Sequence, residues 1–137
     1  MMNPSFELPS ERGWKKREIE SGVYDIILTV NSATNAEVIF ALAKNPLNSI
    51  EFSLKIGERS DDFADAIELI CWVKEVRFRH VKSWGKNVTN ALIKLLQKRC
   101  IFRLEFYLCG DLPIELRETL KDATLGLKSV FFDRTKG

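Results

Sequence analysis

Histidine is nearly missing from this chain: among 137 residues there is only His80. That removes most imidazole-based metal sites and leaves one conceivable Cys–His pairing. Cysteine is also scarce. Cys71, Cys100 and Cys109 form no CxxC, and their odd number suits no disulfide framework, so they read as reduced thiols of a cytosolic or nuclear protein, with a cytoplasmic location expected. Gly57 and Gly85 stand alone and match no phosphate-binding loop. No apolar run approaches the roughly 18 residues of a membrane span, so no membrane partner is expected. Residues 1–20 are polar, contain Pro4 and Pro9, and show no signal-peptide core. An excess of one charge is lacking too: 21 basic against 19 acidic side chains leave a net +2, which by itself argues for no partner. No catalytic, cofactor-binding or metal-binding set emerges. Disorder is excluded by the 45% hydrophobic content, and the length suits one domain with a continuous core.

What the chain does contain is a recurrent apolar signature, LxxLxL. It appears as Val23-x-x-Ile26-x-Leu28, Leu47-x-x-Ile50-x-Phe52, Val73-x-x-Val76-x-Phe78, Ile101-x-x-Leu104-x-Phe106 and Leu127-x-x-Val130-x-Phe132. The first residues lie 24, 26, 28 and 26 positions apart. A recurrence of roughly 20–30 residues is the sequence form of a stacked array, because each unit can bury its apolar edge only against the next.

The signature runs, rich in β-branched and aromatic residues, predict short strands. Helical spacing lies between them. Thr34-x-x-Glu37 resembles a capping box ahead of Val38 and Leu42. Phe63, Ala66, Ile67 and Ile70 follow Asp61 and Asp62, which suit the start of that helix. Val88, Ala91, Leu92 and Leu95 follow Asn87, with Lys98 and Arg99 where a helix dipole favours cations. A shorter helix runs from Pro113 through Leu116 and Leu120. Strand–helix alternation predicts a parallel sheet. Charges between the strand apolars (Glu51, Glu75, Arg77, Arg79, Arg103, Glu105) leave one sheet face wet, against a doubly wound sheet buried on both faces. The expected fold is therefore α/β: a short right-handed β-α solenoid of about five strand–helix repeats, with the parallel sheet concave and the helices outside. Residues 1–20 form a polar leader or N-terminal cap, and residues 21–137 form the repeat domain.

These repeats resemble leucine-rich repeats, nearest the ribonuclease-inhibitor-like and cysteine-containing subclasses. The best match is Val73 to Cys100, with the turn Ser83, Gly85, Asn87 and then Val88-x-x-Ala91-Leu92-x-x-Leu95-Leu96. In the next unit Cys109 holds the ninth position, where the family places Asn or Cys to bond the loop backbone. That position is Val81 and Lys55 in the two units before it, and Phe stands where Leu is typical. The resemblance covers about Val23 to Asp133 and implies a non-enzymatic protein-interaction module, an adaptor, working through its concave face.

On that face the residues between the buried strand positions fall into columns. The central one is Ile27, Glu51, Arg77, Glu105, Phe131; its neighbours are Asp25, Ser49, Glu75, Arg103, Ser129 and Thr29, Ser53, Arg79, Tyr107, Asp133. Strands about 4.8 Å apart make column members cross-strand neighbours, so Glu51–Arg77–Glu105 and Glu75–Arg103 are expected to alternate in charge. The candidate partner-binding residues are Glu51, Arg77, Arg79, Phe102, Arg103, Glu105, Tyr107 and Phe131, a polar face flanked by aromatic anchors. The competing expectation is that the ladder satisfies itself and keeps the sheet soluble.

Other chemistry is weaker. His80 and Cys109 end adjacent strands with Asp111 nearby, although Cys109 has the simpler task of filling its repeat position. Asp61, Asp62 and Asp65 compensate a helix dipole or hold a cation weakly. From Lys74 to Arg103 nine basic residues face one acid, Glu75, so nucleic-acid binding along the 74–103 stripe is the alternative function. Last, no helix follows the fifth strand to cover it, and an open edge there suggests a fragment of a longer array, a homodimer through that edge, or a small adaptor whose partner completes it.

Overall fold

A computed structural model of the chain describes residues 15–20, 23–28, 47–70 and 73–135, with side chains described from residue 49. These residues form strands β1 (Lys15–Glu20), β2 (Val23–Leu28), β3 (Leu47–Ser53), β4 (Val73–Arg79), β5 (Arg103–Tyr107) and β6 (Ser129–Asp133). The α-helices are α1 (Ala64–Glu68), α2 (Lys86–Gln97) and α3 (Ile114–Leu120). All six strands lie in one sheet in chain order. Strands β2 to β6 are parallel, whereas β1 is antiparallel to β2. The fold is α/β. The polar leader expected over residues 1–20 therefore includes a strand at its end, and β1 takes up the hydrogen-bonding edge of β2. The capping box at Thr34 and Glu37, the helix expected around Val38 and Leu42, Thr29 and Cys71 all lie outside the described residues.

The strands pair without slippage from β3 onward because their apolar signatures share one phase. Ile50 sits beside Val76, Val76 beside Leu104 and Leu104 beside Val130. One position pair further, Phe52, Phe78, Phe106 and Phe132 are aligned in the same way. Their rings stack in a column, with centroids 5.3, 5.8 and 5.4 Å apart and planes within 20°. Such offset stacking adds about 0.5–1.5 kcal/mol per pair beyond area burial. Phe63 and Trp84 close the column edge-on from the helix side.

The helices form where the apolar spacing predicts them. Phe63, Ala66, Ile67 and Ile70 are all buried, across a 3-10 turn (Ser60–Phe63) and α1. In α2, Val88, Ala91, Leu92, Leu95 and Leu96 are buried, and all join the same core as the strand apolars. Lys98 donates its N–H back to the Lys94 and Leu95 carbonyls, and Arg99 turns the chain out with φ 58°. In α3 only Leu116 is buried. Sheet and helices thus enclose one core, while the opposite sheet face carries the charged positions.

Beyond the strands, the same contacts recur from unit to unit. The N–H groups of Leu54, His80 and Leu108 donate to the carbonyls of Arg79, Tyr107 and Asp133, at 3.0, 3.0 and 2.8 Å. At the strand entrances Phe102 N–H donates to Lys74 O and Lys128 N–H to Phe102 O. His80, Leu108 and Arg134 occupy equivalent positions and all have left-handed backbone, φ 62°, 54° and 51°. This conformation costs a non-glycine residue about 1–2 kcal/mol and turns each strand sharply into the following loop. The loops then stack. Gly110 N–H bonds the Val81 carbonyl, and Lys82 O lies 2.0 Å from where a Cβ on Gly110 would sit, so only glycine fits.

Candidate partner-binding face of the sheet

The expected columns align across the described strands, with Thr29 outside them. Glu51 pairs with Arg77, Arg77 with Glu105 and Glu105 with Phe131; Ser49, Glu75, Arg103 and Ser129 align beside them, and Ser53, Arg79, Tyr107 and Asp133 on the other side. Backbone register also places Asp25 beside Ser49 and Ile27 beside Glu51. Phe102 stands just before β5, at the strand entrance.

Within these columns the side chains divide into two populations. The first is a closed ion-pair cluster on β3 and β4. Glu51 is only 7% exposed, and both its oxygens accept from arginines, Oε1 from Arg77 Nε and Oε2 from Arg79 Nε, each at 3.3 Å. Arg77 also donates Nη1 to Glu75 and Nη2 to Ser49 Oγ at 3.1 Å. One guanidinium thereby ties together two carboxylates and a hydroxyl from two strands, as its planar fork of donors allows. The expected alternation is altered here. Arg77 is in register with Glu105 but turns to Glu75 on its own strand, and Glu105 accepts instead from the Tyr107 hydroxyl at 2.6 Å.

The second population lies toward β6 and is open. Arg103 reaches Glu75 only at 4.0 Å, and its side chain is 53% exposed. Phe131 is 49% exposed and Phe102 37%. Tyr107 packs between the two populations, with Arg79 over its ring at 4.8 Å and Phe131 beside it at 5.7 Å. Burial, and then the Glu105 carboxylate that accepts from it, push the Tyr107 phenol up to about 12. Lys128, which spacing places in the same repeat position as Phe102 and Lys74, lies 5.5 Å over the Phe102 ring. It extends the cationic-aromatic patch and was not among the residues expected there. Comparison with family models, curated proteins and solved structures finds no match to this chain.

Elsewhere the chemistry is structural. Cys109 is buried, its Sγ 3.5 Å from Phe78 O and 3.4 Å from Tyr107 O, and burial pushes the thiol pKa up. A thiol held protonated in this way is a poor nucleophile. Its sulfur thus lies against carbonyls at the ends of β4 and β5, and its N–H donates to Thr135 Oγ1 at 2.9 Å. His80 is exposed at the strand end, where its left-handed backbone is the notable feature.

Asp61, Asp62 and Asp65 lie in helical first turns as expected, and Asp61 has a further task. Asp61 Oδ1 accepts the N–H of Val88 at 2.9 Å, so it caps α2, a helix that begins 25 residues later. Gly85 makes this approach feasible, since a Cβ there would lie 2.0 Å from the carboxylate. Ser60 supports the same junction by donating to Ser83 O and accepting from Gly85 N–H. Among the described residues no group of three or more His, Cys, Asp or Glu is arranged to hold a metal, and no helix is long and apolar enough to cross a membrane. A broad depression of about 1170 Å³ opens where β3 and β4 end, lined by Lys55, Ile56, Arg59, His80 and Lys82 among others. The helix N-terminus that would attract a phosphate there, that of α2, already holds Asp61.

The 74–103 basic stripe is divided by the fold. Arg77 and Arg79 are tied to Glu51 on the sheet face. On α2 Lys94 lies 3.9 Å from Glu68, and Lys98 just beyond the helix donates to the Glu68 carbonyl. Lys82 donates to Leu108 O at a loop. Five of the nine cations are thus engaged on different elements.

Proposed function

We propose that this chain is a non-enzymatic interaction module of leucine-rich-repeat type, a short β-α solenoid that binds another protein through the β5–β6 half of its open sheet face. The contacts that recur at equivalent positions, from the Phe column to the left-handed residues His80, Leu108 and Arg134, support the solenoid description. The observation that carries the function is the contrast across the face. Glu51, Arg77 and Arg79 satisfy one another, whereas Arg103, Phe102 and Phe131 stay exposed beside one long ion pair and ring contacts only. Exposed aromatic and arginine side chains on a rigid sheet are the composition of interface anchors. Of the eight candidate residues, Arg103, Phe131, Phe102 and Tyr107 would make contact, while Glu51, Arg77, Arg79 and Glu105 would hold the platform flat. A reduced, cytoplasmic setting agrees with Cys100 and Cys109 lying buried outside any disulfide. Nucleic-acid binding has less support, because the basic residues face in different directions.

A photo-reactive benzophenone side chain placed at Arg103 tests this. In an extract it should give one discrete protein adduct that Phe131→Asp abolishes, whereas the same probe at Lys94 on the helix side should not. Identical patterns from both positions would sink the proposal. So would an Arg103 adduct that nuclease treatment removes.

A further inference from the structure

Strand β6 has no strand on its outer side among the described residues, and the apolar layer beneath it is open. Between β6 and α3 runs a groove of about 350 Å³ lined by Ile114, Arg117, Glu118, Leu120, Lys121, Val130 and Phe132. Ile114 is 59% exposed and Phe132 37%. The outer face of the Phe132 ring ends the stacked column.

The backbone hydrogen bonds fix which groups of β6 point outward. Asp133 O accepts from Leu108 N–H and Ser129 N–H donates to Phe102 O, so residues 129, 131 and 133 turn their polar groups toward β5. Alternation along a strand leaves the N–H and C=O of Val130 and Phe132 aimed at the free edge. We infer that this edge pairs with the β6 of a second copy, antiparallel about a two-fold axis through Phe131.

In that register Val130 faces Phe132 of the copy and Phe132 faces its Val130. Both are pairs that exchange two hydrogen bonds, so all the outward groups of these residues are satisfied. The same pairs join the two apolar layers, and Phe131 meets its own copy on the polar face as a non-hydrogen-bonded pair. Arg117, Glu118 and Lys121 share the groove wall, with Glu118 paired to Lys121 at 3.3 Å, so an antiparallel approach of α3 to its copy adds each Arg117 as a second cation beside the other's Glu118. The surface is thus self-complementary in backbone, apolar shape and charge, as an isologous interface requires. Neighbouring registers are poorer. Centring on Phe132 opposes Val130 to Arg134, whose left-handed φ of 51° ends the strand, and centring on Val130 opposes Phe132 to Lys128. Phe131 is shared with the sheet-face proposal, but the edge hydrogen bonds and the apolar pairs of Val130 and Phe132 are not, so Val130→Pro tests the dimer without altering a residue of the proposed partner face.

The test combines sedimentation with cysteine cross-linking, in a Cys71→Ser background. The protein should sediment as a dimer at about 100 µM. Val130→Pro removes an outward N–H while leaving every bond to β5, a substitution that edge strands tolerate, and should weaken the dimer about tenfold or more. Phe131→Cys should oxidise to a disulfide dimer, because residues facing one another in a non-hydrogen-bonded pair have Cα atoms about 4.5 Å apart, within disulfide reach. Ser129→Cys should cross-link only when mixed with Asp133→Cys. A monomer at that concentration, an open-ended polymer, a dimer indifferent to Val130→Pro, or efficient Ser129→Cys self-linkage would each overturn the inference. Unchanged circular dichroism of each variant separates loss of the dimer from loss of the fold.

Discussion

Replacing Arg77 with methionine keeps most of the side-chain volume and removes the guanidinium, which isolates what the ion-pair cluster contributes. In the wild type Arg77 donates to Glu51, Glu75 and Ser49. Its side chain is 22% exposed and that of Glu51 only 9%, so water replaces these bonds poorly. A hydrogen bond to a charged group is worth about 1.5–3 kcal/mol, and breaking a fully buried pair costs about 3–5. Glu51 keeps Arg79 as a partner and Glu75 keeps Arg103 within 4.0 Å, which holds the loss below that upper range. The expected destabilisation by Arg77→Met is about 2–3 kcal/mol, or roughly 6–12 °C in Tm for a domain of this size. Arg77→Glu should cost more, because it sets a third carboxylate beside Glu51 and Glu75. Arg103→Met, at a mostly exposed pair, should change stability by about 0.5 kcal/mol or less. Urea unfolding of the three variants, with Glu51→Gln completing a double-mutant cycle, measures the difference. If Arg77→Met and Arg103→Met were equally mild, the cluster would be an ordinary solvated set of surface charges, and the division of the face into platform and contact residues would fail.

Tyr107 supplies a pH signature. Its folded pKa near 12 exceeds the ordinary value of 10.0, so the unfolded state releases the proton first as pH rises. The stability this represents is fully present below pH 10 and is lost as pH climbs through 12. Absorbance titration of tyrosinate should show this late-ionising group, and Glu105→Gln should bring it down by removing the carboxylate beside it. Asp61→Ala should destabilise the chain by about 1–2 kcal/mol through lost capping of α2, with amide exchange quickening first at Val88, not within α1. Leu92→Ala, at a fully buried core position, should cost about 2–5 kcal/mol in the same urea assay.

Strand phase and helix faces were legible in the chain because both are periodic local properties. The equal phase of LxxLxL at each recurrence set the register of β3 to β6, so the columns through Glu51, Glu75 and Arg79 could be written before any coordinates. Helical spacing likewise marked Val88, Ala91, Leu92 and Leu95 as one buried stripe. The strand at Lys15–Glu20 was not legible: its polar, charged residues carry no apolar alternation, and what orders it is the neighbouring edge of β2.

Spacing places residues in a column but does not say which neighbour a long side chain will reach. Arg77 could pair forward with Glu105, backward with Glu51 or along its strand with Glu75, and only the packed geometry chose the last two. Asp61 lies at the start of its own helix in sequence, yet the approach of Gly85 gives its carboxylate to the next one. The left-handed turns at His80, Leu108 and Arg134 are set by the stacking of successive loops against local backbone preference. The sequence alone therefore determined which residues share a face, because that follows from period and phase along a few bonds. Tertiary structure decided which of them are satisfied and which stay open, because that depends on distances between strands and loops some 25 residues apart.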